Sequence, residues 1–127
     1  MITTQVLDTA RGVPAIRLPV QLHFFITGQG WHEVGHGVTN LEGFLLDFAE
    51  PQSAGLYRLM FDVGAYMPHA FYPSITITFE VRHPKDRYHL PLLLRASGPE
   101  QIIFPTLTLL ASVNKKILFQ QIHGLTA

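Results

Sequence analysis

The chain has 127 residues, nine basic and nine acidic, with apolar residues at 47%, charged residues at 14% and no cysteine. This length suits one domain with one hydrophobic core. Balanced charge leaves no basic field for nucleic acid or an acidic membrane surface, and the absence of thiols excludes disulfides and thiol chemistry.

In chain order, the first segment is Gln5-Val6-Leu7-Asp8-Thr9-Ala10-Arg11-Gly12-Val13-Pro14-Ala15. It reads as a strand entering a turn. Asp8 suits a turn-former that caps local backbone N–H groups, and Gly12 suits a backbone conformation other residues resist. Leu18, Val20, Leu22 and Phe24 then alternate with Gln21 and His23, which predicts a strand with an apolar and a polar face. Residues 31–38 read as a further strand. Tyr57, Leu59 and Phe61 form another apolar row, and one helical turn fits residues 62–67, with Pro68 as its stop. Ile75, Ile77, Phe79 and Val81 alternate with Ser74, Thr76, Thr78 and Glu80. Turn signals separate these runs at Arg11-Gly12, Gly28-Gln29-Gly30, Glu42-Gly43, Ser53-Ala54-Gly55 and His83-Pro84-Lys85-Asp86. Short strands at such spacing predict an antiparallel β-sandwich.

Tyr88-His89-Leu90-Pro91-Leu92-Leu93-Leu94 reads as a strand with an internal proline, so an edge or a bulge is expected there. Tyr88, Leu90 and Leu92 share one face, and His89 falls on the other, open to a ligand or a second subunit. Beyond Leu94 the pattern breaks. Residues 95–100 are polar, residues 102–110 strongly apolar, and Val113, Ile117, Ile122 and Leu125 have loose helical spacing. Two units follow: a core over 1–94, and an atypical segment over 95–127 that reads as a replacement strand plus a short helix, or as poorly ordered chain. The N-terminus has no basic region ahead of an apolar core, and no apolar run is long enough to span a bilayer. Leu125-Thr126-Ala127 is not a peroxisomal Ser-Lys-Leu signal. A cytoplasmic location is expected, with the peroxisome as alternative.

One motif invites a metal reading. His32-Glu33-Val34-Gly35-His36 fits H-E-x-x-H, which binds zinc when both histidines lie one helical turn apart. Gly28, Gly30, Gly35, Gly37, Val34 and Val38 favour a strand instead, where His32 and His36 would share a face and make a weak adventitious site at most. No metal and no cofactor are expected. His23, His69, His83 and His123 show no partner pattern and read as solvated surface groups.

Four pieces resemble the transthyretin-like family, in its 5-hydroxyisourate hydrolase branch: the opening motif, Val38-Thr39-Asn40-Leu41-Glu42-Gly43, Tyr57-Arg58-Leu59-Met60-Phe61-Asp62 followed by Phe71-Tyr72-Pro73, and the strand containing His89. Their order and spacing match over about residues 2–94. The resemblance implies an all-β, transthyretin-like antiparallel β-sandwich with an atypical C-terminal segment. It also implies metal-free ring opening of an oxidised purine, 5-hydroxyisourate, in urate catabolism, within a homo-oligomer, a tetramer, whose sites form where subunits meet. Two histidines would steer water, an arginine would orient the substrate, and a C-terminal Tyr-Arg-Gly-Ser would close the site. His89 stands at the second histidine and is the one catalytic residue the resemblance assigns. Gln5 stands at the first histidine and cannot take a proton. Phe44 stands where the family has arginine and offers stacking or apolar area only. The tetrapeptide is missing. The expectation is a family protein with weak or lost hydrolysis. The alternative is a non-catalytic small-molecule binding or interaction module using the same groove. These departures have two readings: a diverged, inactive or re-purposed member, or a chain whose last third comes from altered splicing, a frame change or a gene-model error, which the break after Leu94 favours for that segment.

Overall fold

The structure, a computed structural model, describes residues 1–94, 103–105 and 108–109. Its elements are β1 (Ile2–Asp8), β2 (Val13–Pro14), β3 (Pro19–Ile26), β4 (Gly30–Val38), β5 (Phe44–Ala49), β6 (Gly55–Phe61), the helical turn α1 (Val63–Tyr66), β7 (Ile75–Val81), β8 (Tyr88–Leu94), β9 (Ile103–Pro105) and β10 (Thr108–Leu109). One sheet runs β4-β3-β6-β7. In the other, β8 and β1 lie side by side, β5 and β2 flank β1, and β9 and β10 flank β8. The two sheets pack face to face as the expected sandwich.

Period-two alternation decides what lies between them. Ile2 and Val6 of β1, Val20 and Leu22 of β3, Tyr57, Leu59 and Phe61 of β6, the four apolar residues of β7, and Tyr88, Leu90, Leu92 and Leu94 of β8 all point inward and are buried. Each such side chain contributes about 1.5–3 kcal/mol of burial free energy against the entropy of ordering the chain. The expected helical turn is α1: Asp62 caps it by accepting a hydrogen bond from the Ala65 N–H at 3.1 Å, and Met67 closes it. Gly12 has φ +69°, the conformation expected of it.

Four details refine or correct the expectations. First, the antiparallel sandwich contains one parallel pair, β1 and β8, in unbroken register from Ile2↔Tyr88 to Asp8↔Leu94. Second, of the edge or bulge expected at Pro91, the pairing with β1 shows no bulge. The Tyr88 N–H donates to Met1 on the β1 side, so alternation aims the Pro91 nitrogen away from β1. There it falls between the stretches of β8 paired with β9 and with β10. Third, β4 is a strand, but His32 and His36 do not share a face. The β3–β4 register shifts between Leu22 and His23, so His32 stands opposite Phe24 while His36 stands opposite Gln21. A one-residue slip exchanges the faces of every later side chain. Among the described residues no group of three metal-ligating side chains converges.

Fourth, His23 is not a solvated histidine. It is 7% exposed on the outer face of the second sheet. Arg58 Nε donates to its Nδ1 at 2.8 Å, and Gln21 Oε1 lies 3.0 Å from its Nε2. Nδ1 therefore accepts, and Nε2 carries the proton. The Arg58 guanidinium also lies 4.5 Å from the centre of the Trp31 ring. Burial first, then the Arg58 charge, holds His23 below its ordinary pKa, with Glu33 pulling the other way. The helical expectation for Val113, Ile117, Ile122 and Leu125, and His123 with it, lie outside the described residues.

Candidate functional site

The outer face of the first sheet carries the predicted site residues. Since Ile2, Thr4, Val6 and Asp8 of β1 are buried, Thr3, Gln5 and Leu7 point outward. Register places Thr3 beside His89, Gln5 beside Pro91 and Leu7 beside Leu93. On the other flank of β1, Gln5 stands opposite Phe44. Three neighbouring strands, β5, β1 and β8, thus bring residues 3, 5, 44 and 89 onto one surface.

His89 is half-buried, as its phase within β8 predicts. Its Nδ1 shares a 2.8 Å hydrogen bond with Thr3 Oγ1, which fixes the ring and leaves Nε2 for a ligand. Burial lowers the His89 pKa below its ordinary value, so the imidazole is neutral at physiological pH. The Phe44 ring lies 5.9 Å from the His89 ring, centre to centre, tilted by 30°. Local turn chemistry places Phe44. Asn40 Oδ1 accepts from the Glu42 and Phe44 N–H groups at 2.9 and 3.0 Å, and the Asn40 N–H donates to the Phe44 carbonyl at 2.8 Å. Gly43 takes φ +79° between them.

Met1, Thr3, Phe44, Leu46, Arg87 and His89 line an open cleft of about 280 Å³, close to the lower bound of about 300 Å³ for small-molecule sites. Gln5 shares the face but does not line this cleft. Its Nε2 makes a long 3.4 Å hydrogen bond to the Glu42 carbonyl. Sequence reasoning missed Thr3, Leu46 and Arg87. Alternation gives a partial signal for two of them, since Thr3 shares phase with Gln5, and Arg87 with His89. Asp8 is structural, as expected. It is buried, accepts from the Arg11 N–H at 3.1 Å, and receives the Tyr66 hydroxyl at 2.8 Å. A second cleft of about 220 Å³, between Leu22, Phe24, Val34, Glu50, Gln52 and Tyr57, has neither histidine nor arginine in its lining.

The family model for the HIUase/Transthyretin family matches residues 2–98, a span that includes Thr3, Gln5, Phe44, Leu46, Arg87 and His89 of the outer-face site. The chain belongs to that family. Among its relatives, it is 36% identical over 108 residues to the uric acid degradation bifunctional protein TTL of Arabidopsis thaliana, covering 73% of this chain but 33% of that protein. It is 35% identical over 100 residues to the 5-hydroxyisourate hydrolase of Mus musculus, covering 73% of this chain and 85% of the mouse protein. Sea bream transthyretin in complex with thyroxine superposes with a TM-score of 0.77 at 25% identity, over 89% of this chain and 98% of that one. The crystal structure of (S)-allantoin synthase gives 0.70 at 27% identity, over 84% of this chain and 42% of that one.

Proposed function

We propose that this protein acts in urate catabolism as a hydrolase of 5-hydroxyisourate type, with activity well below that of a full catalytic set. The observation carrying this reading is His89, a neutral imidazole oriented by Thr3 over a cleft, in a chain whose relatives include 5-hydroxyisourate hydrolases. Neutral Nε2 can accept a proton from an attacking water or hold a substrate carbonyl through its own N–H, depending on the tautomer Thr3 selects. His89 is the catalytic residue of the proposal. Gln5 can hydrogen-bond a substrate but cannot shuttle a proton, and Phe44 adds ring surface without charge. Removing one oriented acid–base group costs roughly 10²–10⁴ in rate, so a site with one histidine is a slow one.

The test is the decay of 5-hydroxyisourate, generated in place by urate oxidase, with and without the purified full chain. Acceleration above the spontaneous rate that is lost in His89→Ala supports the reading. An unaccelerated decay refutes hydrolysis. A chelator leaves any acceleration unchanged if the chemistry is metal-free. Gln5→His and Phe44→Arg, singly and together, raise the rate if those positions limit it.

A second reading, a non-catalytic binding module for an apolar small molecule, is favoured by one observation: Phe44 and Leu46 make the cleft wall apolar beside His89. In that case ligand binding survives while hydrolysis is absent. Assembly as a homo-oligomer, a tetramer by family likeness, is part of the proposal. Sedimentation of the full chain tests it, and a monomer at micromolar concentration refutes it. Among the described residues no helix is long and apolar enough to cross a membrane. The proposed compartment is the cytosol, with which a cysteine-free chain accords.

A further inference from the structure

Arg87 lies one residue before β8 and shares the alternation phase of His89, so its side chain leaves the sheet on the same side. It lines the His89 cleft from the end opposite Gln5 and supplies the one guanidinium in the lining. The described ion pairs join Met1 to Glu50, His36 to Glu33 and Arg82 to Glu80, and Arg87 is in none of them. No carboxylate lines the cleft. Its wall combines the Phe44 ring, the Leu46 side chain and a neutral imidazole whose Nδ1 is already held by Thr3.

Each part selects for a different ligand property. The guanidinium presents a planar fork that pairs bidentately with an anionic or carbonyl edge. The aromatic ring covers the face of a flat molecule. The His89 Nε2 meets a polar ring atom. An aliphatic or cationic ligand would leave Arg87 unanswered, and a phosphate would not use the Phe44 face. We propose that Arg87 is a ligand-binding residue of this cleft and that, with His89 and Phe44, it binds a planar heterocyclic anion of the oxidised-purine class. The assignment rests on the functional reading above. It adds that the cation of the site enters from the start of β8 and not from position 44.

The test uses urate, a stable planar anion of this class, titrated calorimetrically into the full chain at low ionic strength. Arg87→Ala is expected to weaken binding by about tenfold or more, the range for removing a charge-assisted hydrogen bond. Arg87→Lys, which keeps the charge but not the fork, is expected to lie between. Arg82→Ala, an exposed arginine paired with Glu80 away from the cleft, is expected to bind as wild type does. Unaltered thermal unfolding of the exposed-site variants confirms that the fold is retained. No urate binding by the wild type at millimolar concentration overturns the proposal. So does equal binding by Arg87→Ala, or an equal loss in Arg82→Ala. The hydrolase reading fails separately. Arg87-dependent urate binding without acceleration of 5-hydroxyisourate decay retains Arg87 and refutes hydrolysis. Acceleration with an unchanged KM in Arg87→Ala retains hydrolysis and refutes Arg87.

Discussion

Gly43 and Gly12 offer a controlled comparison, because both take positive φ, +79° and +69°, in opposite surroundings. A Cβ at Gly12 meets nothing within 4 Å, so Gly12→Ala bears the left-handed backbone cost alone, about 1–2 kcal/mol. A Cβ at Gly43 falls 2.4 Å from the Val6 carbonyl oxygen and 3.1 Å from the Pro14 Cβ. Backbone is the obstacle, so no side chain can swing aside. The substitution must displace β1 from the start of β5, where the Val6 N–H donates to the Gly43 carbonyl at 2.8 Å. That hydrogen bond carries a net of about 0.5–1.5 kcal/mol, and unpaired buried backbone groups add about 1–3. Gly43→Ala is therefore expected to be about 2–3 kcal/mol less stable than Gly12→Ala. Urea unfolding at fixed protein concentration reads the difference. With a slope of about 1–3 kcal/mol per molar, the two midpoints should differ by roughly 0.7–3 M. Coincident midpoints would refute the clash argument and the β1–β5 register on which the site is built. Since Gly43 immediately precedes Phe44, the same variant should also lose cleft ligand binding, which Gly12→Ala retains.

Stability should depend on pH through His23 and His89. Both have folded pKa values depressed below the unfolded value of about 6.5. Between that value and the depressed ones, the unfolded chain binds more protons, so stability falls as pH drops through the window and is complete above it. His23→Gln should flatten this slope in urea midpoints measured from pH 7 to 5, and an unchanged slope would argue against the buried Arg58–His23 pair. Thr3→Val, nearly isosteric, removes the 2.8 Å bond to His89 Nδ1. Any hydrolysis should lose kcat with little change in KM or thermal midpoint, and an intact kcat would mean that Thr3 does not orient the ring.

Much of the sandwich was legible because period-two alternation is a local signal. β3, β6 and β7 declare their inner faces residue by residue, and residues 62–67 declare one helical turn with Pro68 as its stop. The failures are non-local. Nothing in Tyr88–Leu94 or Ile2–Asp8 alone states that the two strands run parallel. The slip opposite His23 is a property of a pair of strands, so the faces of His32 and His36 could not be read from β4 alone. β5 went unrecognised because Phe44, Leu45 and Leu46 form an apolar run without alternation. His23 has the phase of a solvent-facing residue, yet it is buried and hydrogen-bonded to Arg58 on the neighbouring strand. For the site, the outward phase of His89 was legible. The Thr3 hydrogen bond and the Phe44 ring contact needed the registers of β1 with β8 and with β5.

The same geometry explains how positions on the outer face can vary while the fold is kept. Along β1, inward Ile2, Thr4, Val6 and Asp8 hold the core and its buried polar contacts. Thr4 Oγ1, for instance, donates to the Leu90 carbonyl at 2.6 Å. Outward Gln5 is partly exposed and makes only a long hydrogen bond to the Glu42 carbonyl, so a substitution at position 5 is expected to cost little stability. Position 44 is similar, since its backbone is held by Asn40 and its side chain faces outward. Selection on folding therefore scarcely constrains residues 5 and 44, whereas His89 is tied to Thr3 and to the cleft. A site on the outer face of a sheet can lose its members one at a time. On the proposed reading, function depends on His89, whose ring is oriented by Thr3 with Nε2 left for a ligand, which is why His89→Ala is the decisive variant for hydrolysis and Arg87→Ala for recognition.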